Sequence, residues 1–402
     1  MRFGSGKFCS VDLVGIRGGE GSTNIRGLVR SSVALVAALA ATIASPNMAA
    51  AAEKVSVAII SFSPYATWYI IKERNLAKDI DLDIKIIEGI PEKNAAISSG
   101  QLHCMNNTVD TIMLARAGGV PLKLVAFSNM SYGLDKMVVT KDIKSVRGFK
   151  GKTFGADYGF LNHMWMLLTL RREGMGFKDV TIKPMLPQDS AAAFASGGID
   201  IDVNYDPFAA TSLTRKDSYV FKSSLTDRTW ERGLIGDAIA CNEKWLAEKP
   251  EVAKELFRAW FEATDWWKEN PEAGNDIVAK GLGWPLSDVK LNQHGAIQLN
   301  LSQNLGAFGL PGGKPLCESI PEGAPIASKS VGWGLLFDGR DCVAGYAGPT
   351  WDLFNEIYRE ARVAKKTVKS TVGIDSSIVG KLGKEGFVEK YKSNKWIGRL
   401  GL

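Results

Sequence analysis

The feature that most narrows what this chain can fold into is a rhythm of short β-type runs and helical segments that is played through twice. Residues 55–60 read as a strand. Ser63 then offers a helix cap, Pro64 occupies the first helical position, and residues 65–78 follow as a helix. Residues 82–87 are a second strand, Pro91 opens a helix that Gly100 ends, and residues 102–106 are a third strand. Thr108 caps a helix that stops at Gly118-Gly119, and two more strands follow at 122–127 and 136–139. The rhythm then restarts. Residues 153–156 are a strand, Asn162 caps a helix ended by Gly174, and residues 180–185 are a strand. Asp189 caps an Ala-rich helix closed by Gly197-Gly198, and residues 199–204, 218–221 and 238–241 are strands.

Alternation of this kind is α/β grammar, and two rounds of it predict two α/β lobes. After Asn242 the chain reads as helical over 243–248, 250–270 and 271–280, with Trp260, Trp266 and Trp267 on stripes assigned to the core. Residues 305–348 are rich in Gly and Pro and read as an irregular insertion, while the basic residues 381–402 read as a solvated C-terminal tail. In open α/β sheets ligands bind beyond the carboxyl ends of the strands, where helix N-termini offer unpaired N–H groups. Residues just after strands are therefore the site candidates.

The N-terminus carries a different message. Arg26 and Arg30 precede an apolar stretch over 32–44, which is too short to span a bilayer, and small residues follow at 49–52. This order predicts a secretory signal peptide over residues 1–52, and hence an exported, periplasmic product. No Cys stands where a lipoprotein would need one. The formal charge of +6 shrinks once Arg2, Lys7, Arg17, Arg26 and Arg30 are set against Asp12 and Glu20, leaving too weak a surplus for a nucleic-acid partner. No Cys or His spacing suggests a metal, and no motif suggests a cofactor. Cys317 and Cys342 flank a loop with little core of its own and are candidates for a disulfide; Cys104 and Cys241, in apolar runs, read as buried free thiols.

Several short motifs recur in a fixed order: Gly100-Gln101-Leu102, Asn107-Thr108-Val109-Asp110, Gly133-Leu134-Asp135, Gly148-Phe149-Lys150-Gly151-Lys152 and Tyr205-Asp206-Pro207-Phe208. As a set they resemble the substrate-binding proteins of ABC importers, in the nitrate, sulfonate and taurine group that also contains pyrimidine-precursor binders. The resemblance runs from about residue 53 to 300 and on toward Ala361. It implies a bilobed periplasmic-binding-protein type II fold with a cleft between two α/β lobes. Lobe 1 would comprise 53–145 plus 236–380 and lobe 2 would comprise 146–235.

It further implies that Tyr65, Trp68, Asn107, Thr108, Asp135, Asn162, His163, Tyr205 and Asp206 line the cleft. Each also has a plain structural reading: Trp68 as core, Asn107 and Thr108 as a helix cap, Tyr205-Asp206-Pro207 as a turn. The stretch Gly159-Phe160-Leu161-Asn162 lacks the hydroxyls with which anion-binding members hold their ligand, whereas Asp110, Asp135, Asp157 and Asp206 are all available to the cleft. An acidic cleft with Tyr and Trp walls points to an amine-bearing organic solute over a sulfonate. The expected function is capture of a small solute by a monomer, and delivery to an ABC permease and ATPase, without chemistry. Two alternatives stand beside it: an enzyme on the same fold, such as a pyrimidine-precursor synthase, and a ligand-binding sensor subunit. The three His (His103, His163, His294) lack the clustering an iron-dependent synthase would need.

Overall fold

The computed structural model describes residues 52–326, 332–337 and 339–399. The expected signal peptide lies outside them. Eleven strands among the described residues form two sheets. The first sheet contains β1 (Glu53–Ile59), β2 (Ile80–Ile86), β3 (Cys104–Thr108), β4 (Leu122–Ser131), β10 (Gly236–Asn242) and β11 (Ala296–Gln298), in the order β11-β4-β10-β3-β1-β2. The second contains β5 (Asp135–Thr140), β6 (Thr153–Ala156), β7 (Thr181–Pro184), β8 (Ile201–Tyr205) and β9 (Ser218–Ser223), in the order β7-β6-β8-β5-β9. The chain crosses from the first sheet to the second in the three residues after Ser131 and returns between Ser223 and Gly236.

Each sheet has a parallel half and an antiparallel half, and the junction between them matters for the site. β1 is parallel to β2 and β3, and β6 is parallel to β7 and β8. β10 runs antiparallel to β3, and β5 antiparallel to β8. The beginnings of β10 and β5 therefore lie at the same edges as the ends of β3 and β8.

The helix starts obey the local signals with small offsets. Pro64 lies inside a one-turn 3-10 segment Ser63–Tyr65, and the α-helix proper covers Thr67–Glu73, shorter than the periodicity predicts. Pro91 and Pro187 occupy first-turn positions of Ile90–Ser98 and Pro187–Ala195, where the missing N–H costs nothing. The long helix Pro250–Glu269 buries Trp260 and Trp267 in the core of the first lobe.

Three sequence expectations are corrected by the structure. β5 belongs to the second sheet, so the strand at 136–139 is part of lobe 2 and not of lobe 1; its pairing with β8 and β9 outweighs its proximity in sequence to β4. Residues 381–402 are not a solvated tail as far as they are described. Leu382, Tyr391, Trp396 and Ile397 are buried on the first lobe, because a few apolar side chains spaced among lysines suffice to dock a short amphipathic segment. Cys104 and Cys241 are not free thiols: the antiparallel register of β3 and β10 sets them directly opposite each other, Cα atoms 4.0 Å apart, and they form a disulfide. A second disulfide joins Cys317 to Cys342. The irregular insertion over 305–348 also touches the lobe 2 side. Its Trp333 is fully buried, donates its indole N–H to the Asp227 carbonyl and lies 4.1 Å from the Arg172 guanidinium, both on the lobe 2 side.

Among the described residues no helix is long and apolar enough to cross a membrane.

Candidate functional site

Where the two sheets face each other, the ends of β1, β3, β6 and β8 and the starts of β5 and β10 converge on one small pocket. Its wall is Ile60, Phe62 and Tyr65 after β1, Thr108 at the end of β3, and Phe160 and Leu161 after β6. Tyr205 ends β8, and Asp135 and Asp237 begin β5 and β10. The pairings Asp237↔Thr108 and Asp135↔Tyr205 place one carboxylate in each lobe opposite a residue already on the wall. The inner pocket has about 20 Å³ of free space, room for a single water-sized group. Ile60, Phe160 and Tyr205 also border an adjoining groove of about 420 Å³, whose further walls include Lys93, Asn107, Asp157, Phe208 and Trp284.

The electrostatics of the inner pocket are one-sided. Asp135 and Asp237 are both buried. Tyr65 donates its hydroxyl to Asp237 Oδ1 at 3.0 Å, and the Asn129 amide donates to Oδ2. Burial pushes the carboxyl of Asp237 up to about 7; the Asn129 hydrogen bond opposes this and the charge of Asp135 adds to it. Asp135 is likewise pushed up by burial to about 7, against the lowering effect of Ser131 and Lys136. Asp110, one layer behind, is raised to about 6 by burial although Tyr358 donates to its Oδ2 at 2.7 Å. Burial also raises the Tyr65 and Tyr205 hydroxyls, so both stay protonated donors. Phe62 meets Tyr65 and Tyr205 edge-on at 5.0 and 5.6 Å, fixing the aromatic walls. Two buried carboxylates that share a pocket without a cation inside it favour a positively charged guest.

Of the residues expected at the site, Tyr65, Thr108, Asp135 and Tyr205 lie on the inner wall and Asn107 on the groove. Four others do not line either space. Trp68 is fully buried in the first core, donates to Asn106 Oδ1 at 2.7 Å and packs 4.5 Å from Trp260; helical spacing aims it away from the cleft. Asn162 and His163 are turned inward one residue beyond Leu161. The Asn162 side chain accepts from the His163 N–H, and His163 Nδ1 accepts from the Gly159 N–H at 3.3 Å. Burial lowers His163 to about 4, which keeps it neutral. Asp206 is spent on an ion pair with Lys136 within lobe 2.

Asp237 escaped sequence reasoning because it stands at the start of its strand and not after its end. A search of residues after strands finds only the parallel half of each edge. The available signal was a lone carboxylate inside the apolar run Leu234-Ile235-Gly236-Asp237-Ala238-Ile239. Phe62, Phe160 and Lys93 were missed because an aromatic or a lysine near a helix start is unremarkable in one dimension.

Among the described residues no cluster of His, Cys, Asp or Glu is arranged to hold a metal ion. Two sheets joined by paired crossings, with a small pocket between them, define the chain as a bilobed protein of the periplasmic-binding-protein fold. More specifically, it belongs to the NMT1/THI5-like family, whose model matches residues 64–274. A putative aliphatic sulfonates-binding protein of Escherichia coli K12 is 25% identical over 203 residues, 48% of this chain and 60% of that protein. Its namesake in Bacillus subtilis 168 is 20% identical over 170 residues, 42% of this chain and 50% of that one. The chain thus spans between half and about 60% of the curated relatives it matches.

Among solved structures, the periplasmic aliphatic sulphonate binding protein SsuA of Escherichia coli superposes with a TM-score of 0.57 at 17% identity, covering 80% of this chain and 97% of that one. A sulfonate-binding SsuA described as putative, from Methylobacillus flagellatus KT, gives 0.61 at 16% identity over 86% and 98%. The desulfurization enzyme DSZB shares the fold at 0.51 and 14% identity over 83% and 99%. At these identities the likeness is one of fold.

Proposed function

We propose that this chain is the solute-capturing component of an ABC importer, working as an exported monomer. It holds a small amine-bearing organic solute between its lobes and hands it unaltered to a membrane permease coupled to an ATPase. The observation that carries the reading is the pairing of Asp135 from one lobe with Asp237 from the other in a buried pocket walled by Phe62, Tyr65 and Tyr205. An ammonium group between the two carboxylates favours the closed arrangement, because only then does it contact both lobes; contacts present in one state alone are what shift such an equilibrium. The small inner volume suits the head of the guest, and the groove its body.

The names of the curated relatives support solute binding as the activity. They also supply the competing ligand class, sulfonates, against which the acidic pocket argues. The test is calorimetric titration of the full chain with alkylamines, aminopyrimidines, taurine and alkanesulfonates. Micromolar or tighter binding of amine-bearing compounds is expected. Binding confined to sulfonates without an amine overturns the ligand class, and conversion of any bound compound into product overturns transport.

A further inference from the structure

The groove outside the acidic pocket holds a feature that capture of a simple amine leaves unused. Lys93, in the first turn of the nine-residue helix Ile90–Ser98, is 1% exposed and is one of the residues that line the groove, and its buried ammonium has no hydrogen-bond partner. It forms none of the ion pairs among the described residues. Two carboxylates face the same groove. Glu88 Oε1 is already taken by the Ser61 N–H at 2.9 Å, and Asp157 stands on the lobe 2 side. Asn107 also lines the groove, and its buried Nδ2 is unpartnered as well, its Oδ1 being engaged by the Thr108 N–H at 3.0 Å. The groove's two unsatisfied buried groups are therefore both donors. A second nine-residue helix, Pro187–Ala195, brings its first residues, Pro187 and Gln188, to the groove from lobe 2. Helix N-termini on both sides add positive potential.

We infer that this groove is an anion subsite anchored by Lys93 and Asn107, so that the solute is dipolar, with an ammonium in the Asp135–Asp237 pocket and a carboxylate or other anionic oxygen group on Lys93. The inference deepens the proposed amine-capture function and rests on it. Burial of an ammonium without a hydrogen-bond acceptor carries a desolvation cost, which the nearby charge of Glu88 offsets in part and a ligand acceptor would offset further. The two spaces adjoin, with Ile60, Phe160 and Tyr205 bordering both, and one unbranched molecule places its two poles on either side of these residues.

The experiment is a calorimetric comparison of three probe series on the full chain: ω-amino acids of three to six carbons, the matching alkylamines and the matching alkanoates. Wild type, Lys93→Met and Lys93→Arg are compared, each checked by thermal melting. Lys93→Met removes an unpaired charge and is expected to fold at least as stably as wild type. At the best chain length the amino acid is expected to bind about 10-fold or more tightly than the alkylamine, the worth of a charge-assisted hydrogen bond. Lys93→Met abolishes that advantage, so that the amino acid and the alkylamine bind that variant equally well, and Lys93→Arg keeps it.

Equal affinity of amino acid and alkylamine in wild type, or an advantage that survives Lys93→Met, overturns the subsite and leaves amine capture standing. Alkanoate binding that needs Lys93, with alkylamines inert, sinks amine capture and supports the subsite. Failure of all three series overturns both.

Discussion

Replacing Asp135 by Asn separates what the pocket costs the fold from what it does for a ligand. The carboxyl is raised from 3.8 to about 7 by burial, in company with Asp237. At about 1.4 kcal/mol per pH unit, ionising it inside the folded protein costs on the order of 4 kcal/mol above pH 7. The sign follows from proton counting. Below the unfolded value both states are protonated and the group is neutral to stability. Between about pH 4 and 7 the unfolded chain releases the proton while the folded chain keeps it, so stability falls as pH rises. Above 7 the loss is complete.

Asn has the same shape and no charge, so Asp135→Asn is expected to match wild type at pH 4 and to exceed it by about 2 to 4 kcal/mol at pH 8. Relief of the repulsion felt by Asp237 adds in the same direction. Urea unfolding of both proteins at pH 4, 6 and 8, followed by far-UV circular dichroism, reads this directly. Alkylamine affinity of the same variant is expected to fall by at least 10-fold at pH 8. A stability difference that is the same at pH 4 and pH 8 refutes the reasoning, since it would place Asp135 in an environment that tolerates its charge.

Affinity for an alkylamine is expected to drop by about 10-fold or more between pH 8 and pH 6, because both Asp135 and Asp237 take up protons near 7 in the empty pocket; calorimetry in buffers of different ionisation enthalpy checks it through the protons released on binding. Trp284 lines the groove and Trp68 does not, so a ligand-induced change in tryptophan fluorescence is expected to vanish in Trp284→Phe. Asp206→Ala, which breaks the partly buried pair with Lys136, is expected to lower stability by about 1 to 2 kcal/mol while changing alkylamine affinity less than 3-fold, read by urea unfolding and calorimetry.

The groove and the pocket were legible to different degrees. Alternating β runs and capped helices locate most elements from local chemistry alone. Pro64, Pro91 and Pro187 mark helix starts because an absent N–H is free only in a first turn. Tyr65, Asn107, Thr108, Asp135 and Tyr205 reach the walls because they stand next to strand ends or at a lobe crossing. Trp68 and His163 satisfy the same positional rule and yet face cores, since the rotation of a helix about its axis is set by packing. Asp206 sits at a strand end as well, but a lysine on the neighbouring strand claims it.

The sequence by itself determined the α/β class and the two-lobed plan, because strand and helix signals act over a few residues and repeat along the chain. Only the tertiary structure decided which strands run antiparallel, and with that the disulfide between Cys104 and Cys241 and the meeting of Asp135 with Asp237. Register between strands far apart in sequence is a property of pairing, with no local trace in either strand. The bare ammonium of Lys93 belongs to the same category: a lysine in a first helical turn reads as surface until the folded chain buries it.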